Sequence, residues 1–102
     1  MPTFKIIYTC KAENDLDSIF SFIAENNPMN ALNYINRMQS AIENLAITPY
    51  IGVSCRAKGI KRDCRILIFT NYLIFYKVNE EKKQINILRI LHGSRKYLDL
   101  LN

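Results

Sequence analysis

Between Asp63 and His92 the chain runs through three segments rich in β-branched and aromatic residues, and all three carry apolar side chains on both alternations. They read DCRILIF from Asp63 to Phe69, YLIFYKV from Tyr72 to Val78, and QINILRILH from Gln84 to His92. Thr70-Asn71 has the length of a tight hairpin turn, and Asn79 to Lys83 (NEEKK) is a charged connection. The pattern predicts a three-stranded antiparallel meander. Strict alternation puts Ile85 and Ile87 on one face and Leu88 and Ile90 on the other. A sheet that is apolar on both faces needs cover on both, and a chain of 102 residues has little left to supply it.

The first half supplies one cover. Thr3 to Thr9 reads as a strand, with Phe4, Ile6 and Tyr8 alternating with Lys5, Ile7 and Thr9. The period then changes. Leu16, Ile19, Phe20 and Ile23 fall on one helical face, with Asn14 or Asp15 as cap and Asp17 near the positive end of the dipole. Asn26-Asn27-Pro28 stops this helix and starts another, with Asn27 as cap and Pro28 as first residue. Ala31, Ile35, Met38, Ile42 and Leu45 form its stripe, and Pro49 and Gly52 end it. So short a connection forces an antiparallel helical hairpin. The hairpin covers one face of the sheet; the other is left to the chain ends or to a partner. After Gly93, Ser94 can cap a short helix to Leu101 that turns Tyr97, Leu98 and Leu101 inward. The expected class is α+β in a single domain over residues 1–102: an N-terminal strand, a helical hairpin, a meander and a short C-terminal helix.

Charge is divided unevenly. Residues 1–50 hold three cations against five acids, net −2, and residues 51–102 hold eleven against four, net +7. The densest basic stretch is Arg56, Lys58, Lys61, Arg62 and Arg65. Such asymmetry points to an anionic partner, nucleic acid or an acidic protein segment; the bland alternative is a solvated loop. Three cysteines, Cys10, Cys55 and Cys64, without a C-x-x-C, are expected to be unpaired, partly buried thiols. No apolar run approaches a membrane span and no signal peptide is evident, so the expected setting is the cytosol. P-loop, dinucleotide, Ser-His-Asp and metal-ligand spacings are all missing, so no cofactor and no metal are expected.

Several residues in order carry a likeness: Ala12, Asp15, Leu16 and Ile19; Pro28 and Ala31; Leu45; Pro49 and Gly52; Tyr72-Leu-Ile-Phe-Tyr76; and Ile87-Leu-Arg-Ile-Leu-His-Gly93. Together, over residues 3–97, they resemble the RelE/ParE superfamily of toxins from type II toxin–antitoxin modules. The Leu91-His92-Gly93 ending followed by Arg95 looks more like the ParE branch. The resemblance implies a small α+β toxin of a plasmid-stabilisation system, silenced by a cognate antitoxin. In the ParE branch the target is DNA gyrase; in the RelE branch the toxin cuts mRNA on the ribosome. A decayed, antitoxin-binding module is a third possibility.

The residue chemistry leans toward binding rather than catalysis. A metal-independent endoribonuclease needs an acid, a base and phosphate-holding cations. The candidates for that reading are His92, Arg65, Arg89 and Tyr97; each has a structural alternative, a strand-end hydrogen bond, an ion pair or a packing anchor. RelE-type nucleases carry an arginine beside the first tyrosine of the Tyr-x-x-x-Tyr strand, and here that position is Leu73. For target or nucleic-acid binding the candidates are Arg56, Lys58, Lys61, Arg62, Arg65, Arg95 and Lys96.

Overall fold

The computed structural model describes residues 3–94. Its elements are β1 (Lys5–Tyr8), α1 (Cys10–Ala24), α2 (Pro28–Glu43), β2 (Val53–Ser54), β3 (Arg65–Phe69), β4 (Tyr72–Asn79) and β5 (Gln84–His92), with single 3-10 turns at Asn44–Ala46 and Arg56–Lys58. The strands form one sheet in the order β1-β5-β4-β3-β2. The meander is present as expected. β1 adds to it parallel to β5, with Ile6 opposite Ile85 and Tyr8 opposite Ile87. β2 is a two-residue edge strand that the sequence pattern does not reveal.

α1 begins five or six residues earlier than expected, with Thr9 rather than Asn14 or Asp15 as cap. The Thr9 hydroxyl accepts from the Ala12 amide and lies 2.9 Å and 3.1 Å from the carbonyls of Ile87 and Leu88, to which it donates. That contact with β5 is tertiary and leaves no local signature. Glu13, not Asp17, is the acid of the first turn. Asn27 and Pro28 open α2 as expected, the Asn27 side chain accepting from the Asn30 amide. α2 ends at Glu43 and tightens into a 3-10 turn, before Pro49 or Gly52 is reached.

The helical hairpin packs on one face of the sheet. Ala12, Leu16 and Ile19 from α1 and Met38 and Ile42 from α2 meet Ile74, Tyr76, Ile85, Ile87 and Ile90. Ile90 thus stands with Ile85 and Ile87, not with Leu88 on the opposite face. The cause is a bulge: Phe75 pairs with Arg89 but Tyr76 pairs with Ile87, so Leu88 has no partner and the alternation shifts by one.

Among the described residues, the opposite face is covered by the chain's own segment between β2 and β3. Ile60 is buried there with Cys55 and Cys64, on Ile66, Phe75 and Leu91, with Leu73 and Leu88 alongside. Cys55 and Cys64 are joined in a disulfide, contrary to the expectation of free thiols, and Cys10 is the exposed free cysteine. Antiparallel pairing of β2 with β3 continues to the Cys55 amide and the Cys64 carbonyl (2.8 Å), which brings the Cα atoms to 5.2 Å. A sequence separation of nine does not reveal that pairing. The C-terminal helix expected over Ser94–Leu101, with Tyr97, Arg95 and Lys96, lies outside the described residues apart from Ser94.

β1 pairs only with Gln84 to Ile87, so on that side the second half of β5 has no neighbour strand among the described residues, and Asp15 takes its place. Its carboxylate accepts from the Ile90 amide at 2.9 Å and from Arg89 Nε and Nη2 at 2.8 and 3.1 Å. Both side chains are largely withdrawn from water, so loss of the carboxylate leaves a cation and an amide unpaired. Asp15→Ala is expected to cost about 2–3 kcal/mol in urea unfolding, and Asp15→Asn, which keeps the Ile90 acceptor, about half that.

Candidate target-binding surface

The second half's positive charge gathers on the segment that covers the sheet. Arg56, Lys58, Lys61 and Arg62 all reach solvent, while Ile60 between them turns inward. This lobe is closed tightly. The Cys55 carbonyl accepts from the Lys58 and Ile60 amides at 3.0 Å each, and Gly59 adopts a left-handed backbone (φ 82°) that returns the chain to the sheet. The disulfide pins both ends. The lobe therefore presents its cations on a fixed frame rather than on a loose loop.

Arg65 begins β3 at the edge of this lobe. Its Nη1 donates to the Gly52 carbonyl at 2.7 Å and the Tyr50 carbonyl at 3.3 Å, and its guanidinium lies 5.0 Å over the Tyr50 ring. The Tyr50 hydroxyl donates to Glu80 (2.7 Å), which also pairs with Lys83 at 3.3 Å. That bond raises the Tyr50 phenol above its ordinary pKa and lowers the Glu80 carboxyl, so the pair is neutral phenol and carboxylate. Beneath them the buried Tyr76 hydroxyl accepts from the Gly52 amide at 2.9 Å. Burial raises the Tyr76 phenol, and the Gly52 amide and the nearby Arg65 charge oppose the rise. A cleft of about 200 Å³ opens here, with Cys64, Arg65 and Lys77 in its wall.

The other nuclease candidates lie elsewhere. Arg89 is held by Asp15, whose hydrogen bond keeps the guanidinium above its already high ordinary pKa. His92 ends β5, packed edge-on against Tyr72 with ring centroids 5.2 Å apart. Its Nδ1 accepts from the Ser94 amide at 3.1 Å and lies 2.7 Å from the Ser94 hydroxyl. An amide can only donate, so Nδ1 is the acceptor in that contact. Arg65 pairs with Tyr76 and His92 with Tyr72, on opposite sides of β4. Four residues of strand separate those positions, about 13 Å. The structure therefore does not bring Arg65 and His92 together. Leu73, at the phosphate-gripping position of the nucleases, packs against the second apolar cluster.

Sequence reasoning passed over two tyrosines. Tyr50 is half-exposed after Pro49, in a loop between elements, and an aromatic so placed is the available hint. In the sequence Tyr8 is only one member of the Phe4, Ile6, Tyr8 alternation. Its hydroxyl is buried and has no hydrogen-bond partner among the described residues. It lines a cleft of about 530 Å³ between β1 and the two helices, with Leu16, Phe20 and Ile35 as apolar wall and Glu13 and Asp17 also lining it. Burial first, and Glu43 second, push the Tyr8 phenol from 10.0 to about 12. Among the described residues no cluster of His, Cys, Asp and Glu is suited to a metal ion, and no helix is long and apolar enough to cross a membrane.

This arrangement, a helical hairpin on a five-stranded sheet with a cationic edge, is the RelE/ParE-like fold. The family model for the ParE toxin of the type II toxin–antitoxin system parDE matches residues 6–97. The chain belongs to that family, a type II toxin of the RelE/ParE superfamily on its ParE side. Among solved structures it is similar to a chain of the chromosomal ParDE system from P. aeruginosa, at 24% identity over 88% of this chain and 96% of that one, TM-score 0.72. It is also similar to a chain of the RelBE2 toxin–antitoxin complex from Mycobacterium tuberculosis (19%, 90% and 99%, TM-score 0.58). A mutant of E. coli toxin RelE in the free state is a third (12%, 99% and 94%, TM-score 0.66). No curated protein matches the sequence.

Two outcomes check the site's frame. A Cβ at Gly52 would sit 2.6 Å from the Tyr76 hydroxyl and 2.7 Å from the Ile66 carbonyl, so Gly52→Ala is expected to destabilise by about 2–3 kcal/mol in denaturant unfolding. For Tyr8, a folded pKa above the unfolded value means that its contribution is full below pH 10 and is lost as pH climbs through 12. Stability measured across that alkaline range should fall less steeply in Tyr8→Phe than in the wild type.

Proposed function

We propose that this chain is the toxin of a ParE-like plasmid-stabilisation module, acting in the cytoplasm by poisoning DNA gyrase and silenced by a cognate antitoxin. The observation that carries the reading is the chemistry of the sheet. Arg89 is spent on Asp15, and His92 and Arg65 stand on opposite sides of β4, four residues apart along it. Leu73 replaces the nuclease cation and lies in an apolar cluster. Cutting RNA needs acid, base and cations around one phosphate; poisoning an enzyme needs only a rigid surface. The disulfide-framed lobe of Arg56, Lys58, Lys61 and Arg62, continued by Arg65, is such a surface, and its charge suits a target that holds DNA. Arg95 and Lys96 follow β5 in the chain and extend the set of candidate contacts.

The antitoxin's seat in this reading is the cleft beside β1. β1 is a sheet edge, so a partner strand can add there, or a helix can lie on Leu16, Phe20 and Ile35. Glu13 and Asp17 then meet basic residues of the partner.

Purified gyrase tests the main claim. Supercoiling should stop and cleaved DNA should accumulate when the toxin is added, and antitoxin should reverse both. Removing lobe cations in pairs (Arg56→Gln with Arg62→Gln) should weaken the effect on the order of tenfold and flatten its salt dependence. Gyrase unaffected by saturating folded protein overturns the reading. In that case ribosome-dependent mRNA cutting, lost in Arg65→Ala or His92→Ala protein that still folds, becomes the assay to run.

A further inference from the structure

The Cys55–Cys64 disulfide is buried, and its two halves are buried unequally. Cys55 is fully buried, whereas Cys64 retains 5% of its surface. Cys64 also forms part of the wall of the 200 Å³ cleft, beside Arg65, Lys77, Ser54 and Asp63. The two cations outnumber the one acid, so the cleft favours a small anion. Thiol–disulfide exchange requires a thiolate to approach one sulfur along an open path, and this cleft opens onto Cys64. We propose that Cys55–Cys64 is a thiol-exchange site, and that the cleft admits a small anionic thiol of the glutathione class.

The attacking thiolate bonds to Cys64 Sγ, the disulfide breaks, and Cys55 leaves as a thiolate that takes up a proton. A second molecule of the thiol then attacks the mixed disulfide and releases Cys64. The protein gains two electrons and two protons, and two thiols end as one disulfide. Reduction removes the covalent tie between the ends of the lobe and leaves Ile60 and backbone hydrogen bonds to hold it. The lobe, and with it the display of Arg56, Lys58, Lys61 and Arg62, becomes subject to the redox state of its surroundings. The exchange does not depend on which target the toxin takes.

The test uses the whole oxidised protein with Cys10→Ser, which removes the exposed thiol. Reduction by glutathione, by neutral 2-mercaptoethanol and by cationic cysteamine is followed by alkylation and mass spectrometry, with rates expressed per thiolate. Glutathione should be the fastest and cysteamine the slowest, and high salt or Lys77→Gln should close the gap. Equal rates for all three thiols at low salt overturn the role of the cleft. Full alkylation of Cys55 and Cys64 in protein purified without reductant overturns the disulfide itself. With oxidised glutathione, Cys55→Ser should take up one glutathionyl group at Cys64 much faster than Cys64→Ser does at Cys55, and the reverse order rejects the direction of attack. If either variant fails to fold, the kinetics of the three thiols still decide. Hydrogen exchange supplies the second readout: amides of residues 55–64 should exchange faster on the order of tenfold after reduction, with α2 unchanged. Unchanged exchange in the lobe overturns its release.

Discussion

Beyond Tyr8 the edge of β5 has no neighbouring strand, and its peptide groups would be left unpaired without the start of α1. The Thr9 amide and hydroxyl meet the Ile87 and Leu88 carbonyls, and Asp15 meets the Ile90 amide. These contacts fix where β1 stops, where α1 begins and how the hairpin sits on the sheet. An unmatched backbone group in such a half-buried position costs about as much as a lost hydrogen bond. The same junction takes Arg89 out of functional service, because its guanidinium completes the Asp15 pair. An arginine inside an apolar strand is thereby paired within the fold.

The bulge at Leu88 serves the same end. It turns Ile90 toward the helices while Leu88 and Leu91 face the lobe, so one strand contributes to both apolar clusters. A two-faced sheet in so short a chain then finds both its covers within residues 3–94: the helical hairpin on one side, the disulfide-tied lobe on the other. The lobe's cations are carried on a piece of core. Ile60, Cys55 and Cys64 cannot shift without breaking their buried packing on Ile66, Phe75 and Leu91, and that rigidity suits a surface that acts by binding.

Much was legible from residue order. The meander, the Asn27–Pro28 junction, the α2 stripe and the basic second half all come from local rules: β-branched runs, capping chemistry and helical spacing. The family resemblance read from the same motifs agrees with the match over residues 6–97. The candidate site was legible as composition, since Arg56, Lys58, Lys61, Arg62 and Arg65 stand close together in sequence. Their framing by a disulfide was not, because it follows from a two-residue strand pairing with β3.

The sequence alone determined the main helices, the meander strands and their turns, though not β2 or the start of α1, since those preferences act within a few residues of the chain. Tertiary structure decided the rest. Thr9 became a cap because β5 offered it carbonyls, Ile90 changed face because Leu88 was left unpaired, and Cys55 met Cys64 because strands aligned. It also separated His92 from Arg65 by placing them across β4. Each depends on which groups face each other across a sheet, a relation between residues far apart in the chain that local periodicity does not encode.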